Sequence, residues 1–183
     1  MRIGILPVGD ISQEVLSTLE KNLSKIFPDS VCSVISEVLA VPKVAYDKKR
    51  NQYNSTAILN EVRTYAAQKP EYHKVLGVVD LDVFSSGLNY VFGEAYVSGR
   101  AALISLWRLK PGFYGEQAAS ESLFVRTLKE AVHEIGHTLG LSHCRRGLCV
   151  MRFSNSIFDT DKKQSLFCGQ CYLQASLAIN RFG

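Results

Sequence analysis

The sequence predicts an α/β fold with a mainly parallel, twisted sheet and a small C-terminal lobe. Segments that suit strands alternate with segments of helical periodicity through the first two-thirds of the chain, which is the pattern of an α/β protein. Residues 74–83 are almost continuously apolar, as expected of a central strand that is covered on both faces. The 183 residues, of which 46% are hydrophobic, suit one domain with an ordinary core.

The N-terminal elements are predicted from local signals. Residues 3–8 form an apolar strand, Asp10 is the predicted N-cap of a helix, and residues 31–41, rich in β-branched side chains, form a second strand. Residues 46–53 are predicted to be a polar connector, and residues 57–68 a second helix. The apolar residues of the first helix recur at spacings of three and four and are Ile11, Val15, Leu16, Leu19, Leu23 and Phe27.

The later elements lead from the central strand to a long helix. Residues 90–97 and 101–109 are predicted strands, and the long helix has Ser120 as its predicted N-cap and an apolar face that anchors it in the core. Residues 159–163 are interpreted as a charged turn, and residues 171–181 as a closing helix. The residues of this last helix that we predict to face inward are Leu173, Leu177 and Ala178.

The long helix carries the most informative stretch of the chain, residues 133–143, which read H-E-x-x-H-x-x-G-x-x-H. His133 and His137 stand four residues apart and therefore on one helix face, with Cβ atoms about 5–6 Å apart, which allows both to bind one metal ion. Glu134 lies beside the first histidine and is well placed to take a proton from a metal-bound water. These residues predict a zinc site with Glu134 as general base.

Gly140 and His143 complete the predicted catalytic zinc site. A glycine tolerates the positive φ that ends a helix and turns the chain sharply, so the turn can bring His143 back as a third ligand. Three neutral imidazoles leave one position of a tetrahedral zinc open, as in catalytic sites. The alternative is a chance match on an ordinary core helix, and it is disfavoured because the stretch uses three of the 4 histidines in the chain.

Four cysteines follow, first as C-x4-C and then, after a gap of 18 residues, as C-x2-C. They are Cys144, Cys149, Cys168 and Cys171. Four thiolates in two spaced pairs predict a closed tetrahedral zinc site with a structural role. The alternative is two disulfides, which fit poorly with a cytosolic compartment that keeps thiols reduced. Cys32, the remaining cysteine, is expected to be a small buried residue.

These patterns resemble those of a known family. Residues 133–144, the stretch 149–156 with Cys149-Val150-Met151, and Phe167-Cys168-Gly169-Gln170-Cys171 are similar to the archaemetzincins, metzincin-clan zinc peptidases with a second, four-cysteine zinc site. Weaker similarity in residues 77–82 and 88–95 extends the resemblance over most of the chain.

The resemblance implies a single metzincin-like catalytic domain over residues 1–183. Residues 1–140 would form its upper sheet and helix part, and residues 141–183 its C-terminal zinc-binding part. An antiparallel edge strand within residues 90–97 would align a peptide by β-augmentation. Met151 would be the residue of the methionine turn and would pack beneath the catalytic zinc without binding it.

The predicted function is that of a zinc-dependent metallopeptidase with two zinc ions, one catalytic and one structural. A zinc-bound water would hydrolyse peptide bonds of a peptide or protein substrate, with Glu134 as general base. The sequence leaves open an aminopeptidase-like action or an endopeptidase of restricted specificity. The alternative function is a zinc-dependent peptide- or protein-binding module with little or no turnover.

Composition narrows the choice of partners. The formal net charge of +4 is mild and indicates no particular partner. A nucleic-acid zinc module usually has a dense basic or aromatic face, whereas the cysteines are accompanied by one basic pair, Arg145-Arg146. The apolar N-terminal segment breaks at Pro7, so no signal peptide is predicted, and no segment is long enough to span a membrane. We therefore expect a cytoplasmic monomer with no nucleic acid and no membrane among its partners.

Overall fold

The structure, a computed structural model, describes residues 1–27, 29–117 and 120–182. Its strands are β1 (Arg2–Val8), β2 (Val31–Val34), β3 (Tyr46–Asp47), β4 (Gln52–Asn54), β5 (Lys74–Val79), β6 (Val83–Phe84), β7 (Gly93–Ala95) and β8 (Ala101–Ser105). Its α-helices are α1 (Gln13–Ile26), α2 (Ser55–Gln68), α3 (Ser120–Thr138), α4 (Ile157–Lys162) and α5 (Gly169–Ile179). Short 3-10 turns lie at Lys43–Ala45, Trp107–Leu109, Pro111–Tyr114 and Asn180–Phe182.

The main sheet has five strands in the order β2-β1-β5-β8-β7. The pairs β1–β2, β1–β5 and β5–β8 are parallel, whereas β7 runs antiparallel to β8 at the edge of the sheet. The predicted α/β fold with a mainly parallel sheet and an antiparallel edge strand is confirmed. β5 is the central strand, and all its residues are buried, as the apolar run predicted.

The side chains of the strands alternate between the two faces of the sheet, so the hydrophobic core has one part on each face. One set of strand residues, which includes Ile5, Leu76 and Ile104, packs with α1 and α3. The other set, which includes Leu6 and Leu103, packs with α2. Because successive side chains of a strand point to opposite faces, both layers are filled from the same three central strands. This three-layer arrangement buries α3, the helix that carries H-E-x-x-H.

Three N-terminal predictions need correction. α1 begins at Gln13 with Ser12 as its N-cap, so Asp10 does not cap it. The chain turns at Gly9, where φ is +75°, and remains non-helical through Ser12. β2 ends at Val34; the chain then bends and pairs with β1 again only at Leu39, in a single parallel bridge to Val8. Residues 46–53 are not a plain connector, since β3 and β4 form a short hairpin there in a second sheet of order β3-β4-β6.

The C-terminal part also differs in detail from the prediction. Residues 159–163 largely belong to α4, because Ser156 and Asp159 form a capping box that starts a helix. The predicted inward face of α5 is wrong: Leu173 and Leu177 are 60% and 58% exposed. The residues of α5 that are buried are Cys171, Ala175 and Ile179.

The long helix α3 begins at Ser120, close to the predicted position. Ser120 is therefore its first helical residue, and the capping contacts predicted for it fall outside the described residues. Among the helices that the structure describes, none has the length and the apolar character needed to cross a bilayer.

Candidate metal centres

The last two turns of α3 carry His133, Glu134 and His137. Ala131, Val132 and Ile135 pack into the core shared with α1 and the sheet, which holds this part of the helix rigidly. His133 and Glu134 are only 4% and 5% exposed. Polar groups buried to this extent need partners, so their surroundings indicate what they bind.

A tight turn after α3 brings the third histidine back towards the helix. Gly140 has φ of +91°, its N–H donates to the carbonyl of His137 at 2.9 Å, and Leu141 N–H donates to the carbonyl of Gly136 at 3.1 Å. The chain then returns, and one ring nitrogen from each of His133, His137 and His143 lies within 4.8 Å of the others. We call these three residues the histidine cluster.

Second partners fix the tautomers of two of these rings. His133 Nδ1 lies 2.8 Å from the carbonyl oxygen of Val150, and His137 Nδ1 lies 2.8 Å from that of Leu141. A carbonyl can only accept, so both Nδ1 atoms carry the proton of the neutral ring and both Nε2 atoms present lone pairs. A metal-binding histidine is usually oriented in this way.

The spacing of the two Nε2 atoms fits a zinc ion. They are 3.1 Å apart, and as two lone pairs in neutral rings they cannot hydrogen-bond to each other. Two nitrogen ligands at about 2.0–2.1 Å from a tetrahedral zinc stand about 3.3–3.4 Å apart. A small cation between the rings would resolve this contact, and the donor set fits zinc.

Burial favours the neutral, ligating form of the three imidazoles. The pKa of His133 is lowered well below its usual value, first by burial and then by the positive charge of Lys163. Burial is also the first cause that lowers the pKa values of His137 and His143. Metal binding requires the unprotonated ring nitrogen, so each of these shifts favours it.

Met151 lies under the histidine cluster, against the backbone of α3. A Cβ added to Gly136 would collide with Met151 Sδ and come 3.2 Å from Met151 Cε. Met151 is fully buried, so its thioether fills the space that the glycine leaves. The glycine between the two helical histidines is therefore required for the close approach of the methionine.

Glu134 lies in a buried position beside the edge strand. A Cβ added to Gly93 of β7 would come 2.6 Å from Glu134 Cγ and 2.7 Å from its Oε1. Burial raises the pKa of the Glu134 carboxyl well above its usual value; Glu130 and Glu94 act in the same direction, and Lys163 opposes it. A carboxylate that is held in an apolar position beside metal ligands is suited to accept a proton.

A buried ion pair lies one helical turn before Glu134. Lys163 Nζ is 3.0 Å from Glu130 Oε1, and the two side chains are 0% and 4% exposed. Thr160 Oγ1 also donates to Glu130 Oε1 at 2.9 Å. This pair joins α3 to the end of α4 and supplies the positive charge that the buried histidines and Glu134 experience.

A cavity of about 460 Å³ opens in front of the histidine cluster. One wall consists of β7 and the residues that precede it, and the other wall consists of residues 153–155, which follow Met151. β7 is the last strand of the sheet, and no strand among the described residues pairs with its other side, which is therefore a free sheet edge. Phe153 contributes to the second wall, with its ring centroid 4.9 Å from that of His143.

The cysteines form a second cluster close to the first. The Sγ atoms of Cys144, Cys149, Cys168 and Cys171, which we call the cysteine cluster, all lie within 4.8 Å of one another, and all four are free thiols. Cys144 Sγ and Cys168 Sγ are 3.8 Å apart, which matches the separation of about 3.8 Å expected for two thiolates on a tetrahedral zinc.

Backbone N–H groups support this cluster. Cys168 N–H donates to Cys149 Sγ at 3.3 Å, and Arg146 N–H donates to Cys144 Sγ at 3.4 Å. Hydrogen bonds, first that from the backbone of Cys171, lower the pKa of Cys168 to about 7, whereas burial raises the pKa of Cys149 and of Cys171. Four close thiols with N–H donors directed at their sulfurs fit a thiolate-bound cation.

The segment 143–151 belongs to both clusters. It begins with the third histidine and the first cysteine and ends with the second cysteine, Val150 and Met151. Cys144 N–H donates to the carbonyl of Met151 at 2.8 Å, which closes the segment into a loop. Because the Val150 carbonyl orients His133, the cysteine cluster and the histidine cluster share one backbone support.

The structure adds residues that the sequence patterns did not single out. They are Gly93, Gly136, Glu130 and Lys163. Gly136 stands inside the H-E-x-x-H stretch, where a glycine in a helix interior is unfavourable and so was a usable signal. Gly93, Glu130 and Lys163 make their contacts with residues that are distant in the sequence, so local patterns do not identify them.

Known proteins are similar to this chain over nearly its whole length. A family model described as peptidase family M54 matches residues 10–176. The archaemetzincin of Methanocaldococcus jannaschii is 46% identical over 171 residues, which cover 93% of this chain and 90% of that protein. The crystal structure of archaemetzincin from Archaeoglobus fulgidus, complexed with malonate, is 40% identical with a TM-score of 0.81 and covers 95% of this chain and 99% of that one. The archaemetzincin structure from Methanopyrus kandleri is 33% identical with a TM-score of 0.86 and covers 99% and 96% of the two chains.

Proposed function

We propose that this chain, which belongs to peptidase family M54, the archaemetzincins, hydrolyses peptide bonds. The family is one of zinc metallopeptidases. In our proposal Glu134 is the general base for a zinc-bound water. The observation that carries the proposal is the convergence of three neutral imidazole nitrogens within 4.8 Å, beside a buried carboxylate and at the base of an open cavity. We also place the chain in the metzincin clan, on the basis of H-E-x-x-H-x-x-G-x-x-H and Met151.

His133, His137 and His143 would hold the catalytic zinc and leave one position open. The ion would supply a Lewis acid for the scissile carbonyl and lower the pKa of its water to about 7. The Glu134 carboxylate would take the proton of the attacking water and return it to the leaving amine. Its contact with Gly93 and its burial within α3 would hold the carboxylate in one position.

The free edge of β7 is the proposed support for the substrate backbone. An extended peptide that adds to this edge would run along the cavity in front of the histidine cluster. The carboxylate of Glu94 accepts hydrogen bonds from the hydroxyls of Ser55 and, at 2.8 Å, Thr56 at the start of α2, and so fastens the edge strand in place. A rigid edge positions the scissile bond precisely enough for reaction.

The cysteine cluster is proposed to bind a structural zinc. Four thiolates leave no open position, so this ion would stabilise the loops around the first site without taking part in the reaction. In this proposal residues 1–183 form one catalytic domain, with residues 141–183 as its zinc-binding part. We further propose a cytoplasmic monomer that acts on peptides or proteins without nucleic-acid or membrane partners, since a reducing compartment keeps such thiols available for metal.

The proposed function is tested with a diverse peptide pool and mass spectrometry of the products. Zinc-loaded wild-type protein should produce new peptides, and the metal-free protein and the Glu134→Ala variant should not. The cut positions would then separate aminopeptidase from endopeptidase action. If the wild type retains two zinc ions yet yields no product, or if Glu134→Ala yields the same products, the proposed function is wrong; zinc-dependent peptide affinity without products would favour a binding module.

A further inference from the structure

The two walls of the cavity are joined by a hydrogen bond between distant residues. Tyr90, which precedes β7 by three residues, donates from its hydroxyl to the carbonyl oxygen of Asn155 at 2.8 Å. Both residues line the same cavity as Glu134 and the histidine cluster. The Tyr90 ring therefore spans from the edge-strand wall to the wall that follows Met151.

A cation–π contact over its ring also holds Tyr90 in this position. The guanidinium carbon of Arg108 lies 4.3 Å from the centre of the Tyr90 ring, within the range of a cation–π contact. Arg108 is itself fixed by two hydrogen bonds to the carboxylate of Asp82, at 2.6 and 2.8 Å. A bidentate pair of this kind leaves the guanidinium little freedom, so Tyr90 is preorganised to cross the cavity.

An apolar cluster supports Tyr90. It consists of the buried residues Phe92, Leu109 and Ile157, and Tyr90 packs against it. The three residues are 5%, 0% and 2% exposed. Tyr90 is thus held by apolar packing as well as by its hydrogen bond.

We propose that Tyr90 and Asn155 close one end of the substrate cleft and so set how many substrate residues fit on that side of the scissile bond. This inference rests on the proposed function, because it assumes that a peptide lies along β7 across the histidine cluster. A substrate that extends past Tyr90 has to break its hydrogen bond and displace its ring. Chains that end before Tyr90 avoid this cost.

The closure is tested with two series of peptide hydroxamates, compounds whose hydroxamate group binds zinc. In one series the peptide arm extends from the N-terminal side of the hydroxamate and in the other from the C-terminal side, and within each series the arm increases in length. Affinities for the zinc-loaded protein are measured by calorimetry, and each variant is normalised to its own affinity for the shortest compound. In wild type, one of the two series should lose about tenfold in affinity when the arm reaches Tyr90, as expected for the loss of a hydrogen bond and its packing. Tyr90→Ala should abolish this loss, and Tyr90→Phe should reduce it.

Tyr46→Phe is the matched control. Its hydroxyl also makes a 2.8 Å hydrogen bond, to Asn51 in the β3–β4 hairpin away from the cleft, so this variant should discriminate as wild type does. The inference is overturned if wild type shows no length dependence in either series, or if Tyr90→Ala retains the full loss. The proposed function fails separately, when hydroxamates bind to a zinc-loaded protein that hydrolyses no peptide.

Discussion

Gly93 of the edge strand lies directly against Glu134 of the helix α3, with room for a hydrogen atom but not for a side chain. A Cβ at position 93 would come within 2.6 Å of Glu134 Cγ and would also meet the carbonyl oxygen of Leu103 at 2.7 Å. The latter is backbone of the neighbouring strand and cannot move aside easily. The proposed general base is thus positioned by the strand that is proposed to hold the substrate.

Gly93→Ala should reduce kcat strongly, because the added methyl displaces Glu134 from the attacking water. A displacement of about 1 Å costs on the order of a hundredfold in rate. Steady-state kinetics on a peptide that wild type cleaves measures the effect. Gly112→Ala is the control, since apart from its chain neighbours no atom of the described residues lies within 4 Å of an added Cβ there, and it should cleave at the wild-type rate. A Gly93→Ala enzyme with unchanged kcat would show that Glu134 is not positioned by this contact.

Cys149→Ser should weaken metal binding at the histidine cluster as well as at the cysteine cluster. Cys149 leads directly into Val150, whose carbonyl orients His133, and into Met151 under α3. Loss of an orienting group typically costs about 10–100-fold in metal affinity. Cobalt substitution separates the sites, because thiolate and imidazole ligands give different absorption bands.

Cys32→Ser is the matched control for that experiment. Cys32 is also a free and buried cysteine, but it lies in β2, outside the cysteine cluster. This variant should bind cobalt at both clusters with wild-type affinity. If Cys149→Ser leaves the affinity of the histidine cluster unchanged, the two clusters are independent.

Lys163→Met should destabilise the protein by about 3–5 kcal/mol, since it leaves the buried Glu130 carboxylate without its cation. The free energy of unfolding is measured by urea denaturation at a fixed free zinc concentration, because bound metal adds to apparent stability. The double variant with Glu130→Gln removes the unpaired charge and should recover much of the loss. A loss below about 1 kcal/mol in the single variant would contradict the view that this pair is buried and coupled.

Cys32 should resist alkylation in the folded protein. Burial, partly opposed by a hydrogen bond with Ser24, raises the pKa of its thiol from 9.0 to about 11. The two-unit difference makes the thiolate fraction at pH 8 about a hundredfold smaller in the folded than in the unfolded chain, and the folded-state rate should rise about tenfold per pH unit up to pH 11. The folded state holds this proton more tightly, so its contribution to stability is complete below pH 9 and is lost as pH rises through 11. Alkylation of Cys32 is measured by mass spectrometry. Equal rates in the folded and the urea-unfolded protein would contradict the predicted resistance of Cys32 to alkylation.

Strong local patterns predicted most of the fold. Three patterns within short stretches of sequence predicted their elements correctly. They are the periodic apolar residues of α1, the continuous apolar run of β5 and the H-E-x-x-H stretch of α3. The family resemblance is likewise confirmed by the matched family model and relatives. Where a helix is apolar on several sides, as α5 is, periodicity cannot select its buried face, and Leu173 and Leu177 were placed wrongly.

The remaining features depend on contacts that no window of sequence shows. Glu130 and Lys163 are separated by 33 positions, and Tyr90 and Asn155 by 65. Each of these residues has an ordinary polar neighbourhood in the sequence, and only the packing of α4 and the edge strand around α3 brings the pairs together. The β3–β4 hairpin escaped prediction because its strands have only two and three residues.

The most direct test of the proposed mechanism is the rate of peptide hydrolysis by Glu134→Gln, measured on protein whose zinc content has been determined in the same preparation. The variant keeps the size of the side chain and all three histidines but cannot take a proton. The account predicts that it retains two zinc ions per chain and loses about 10²–10⁴-fold in kcat, the usual contribution of a general base. Hydrolysis within a few-fold of wild type, with zinc fully bound, would contradict the assignment of Glu134.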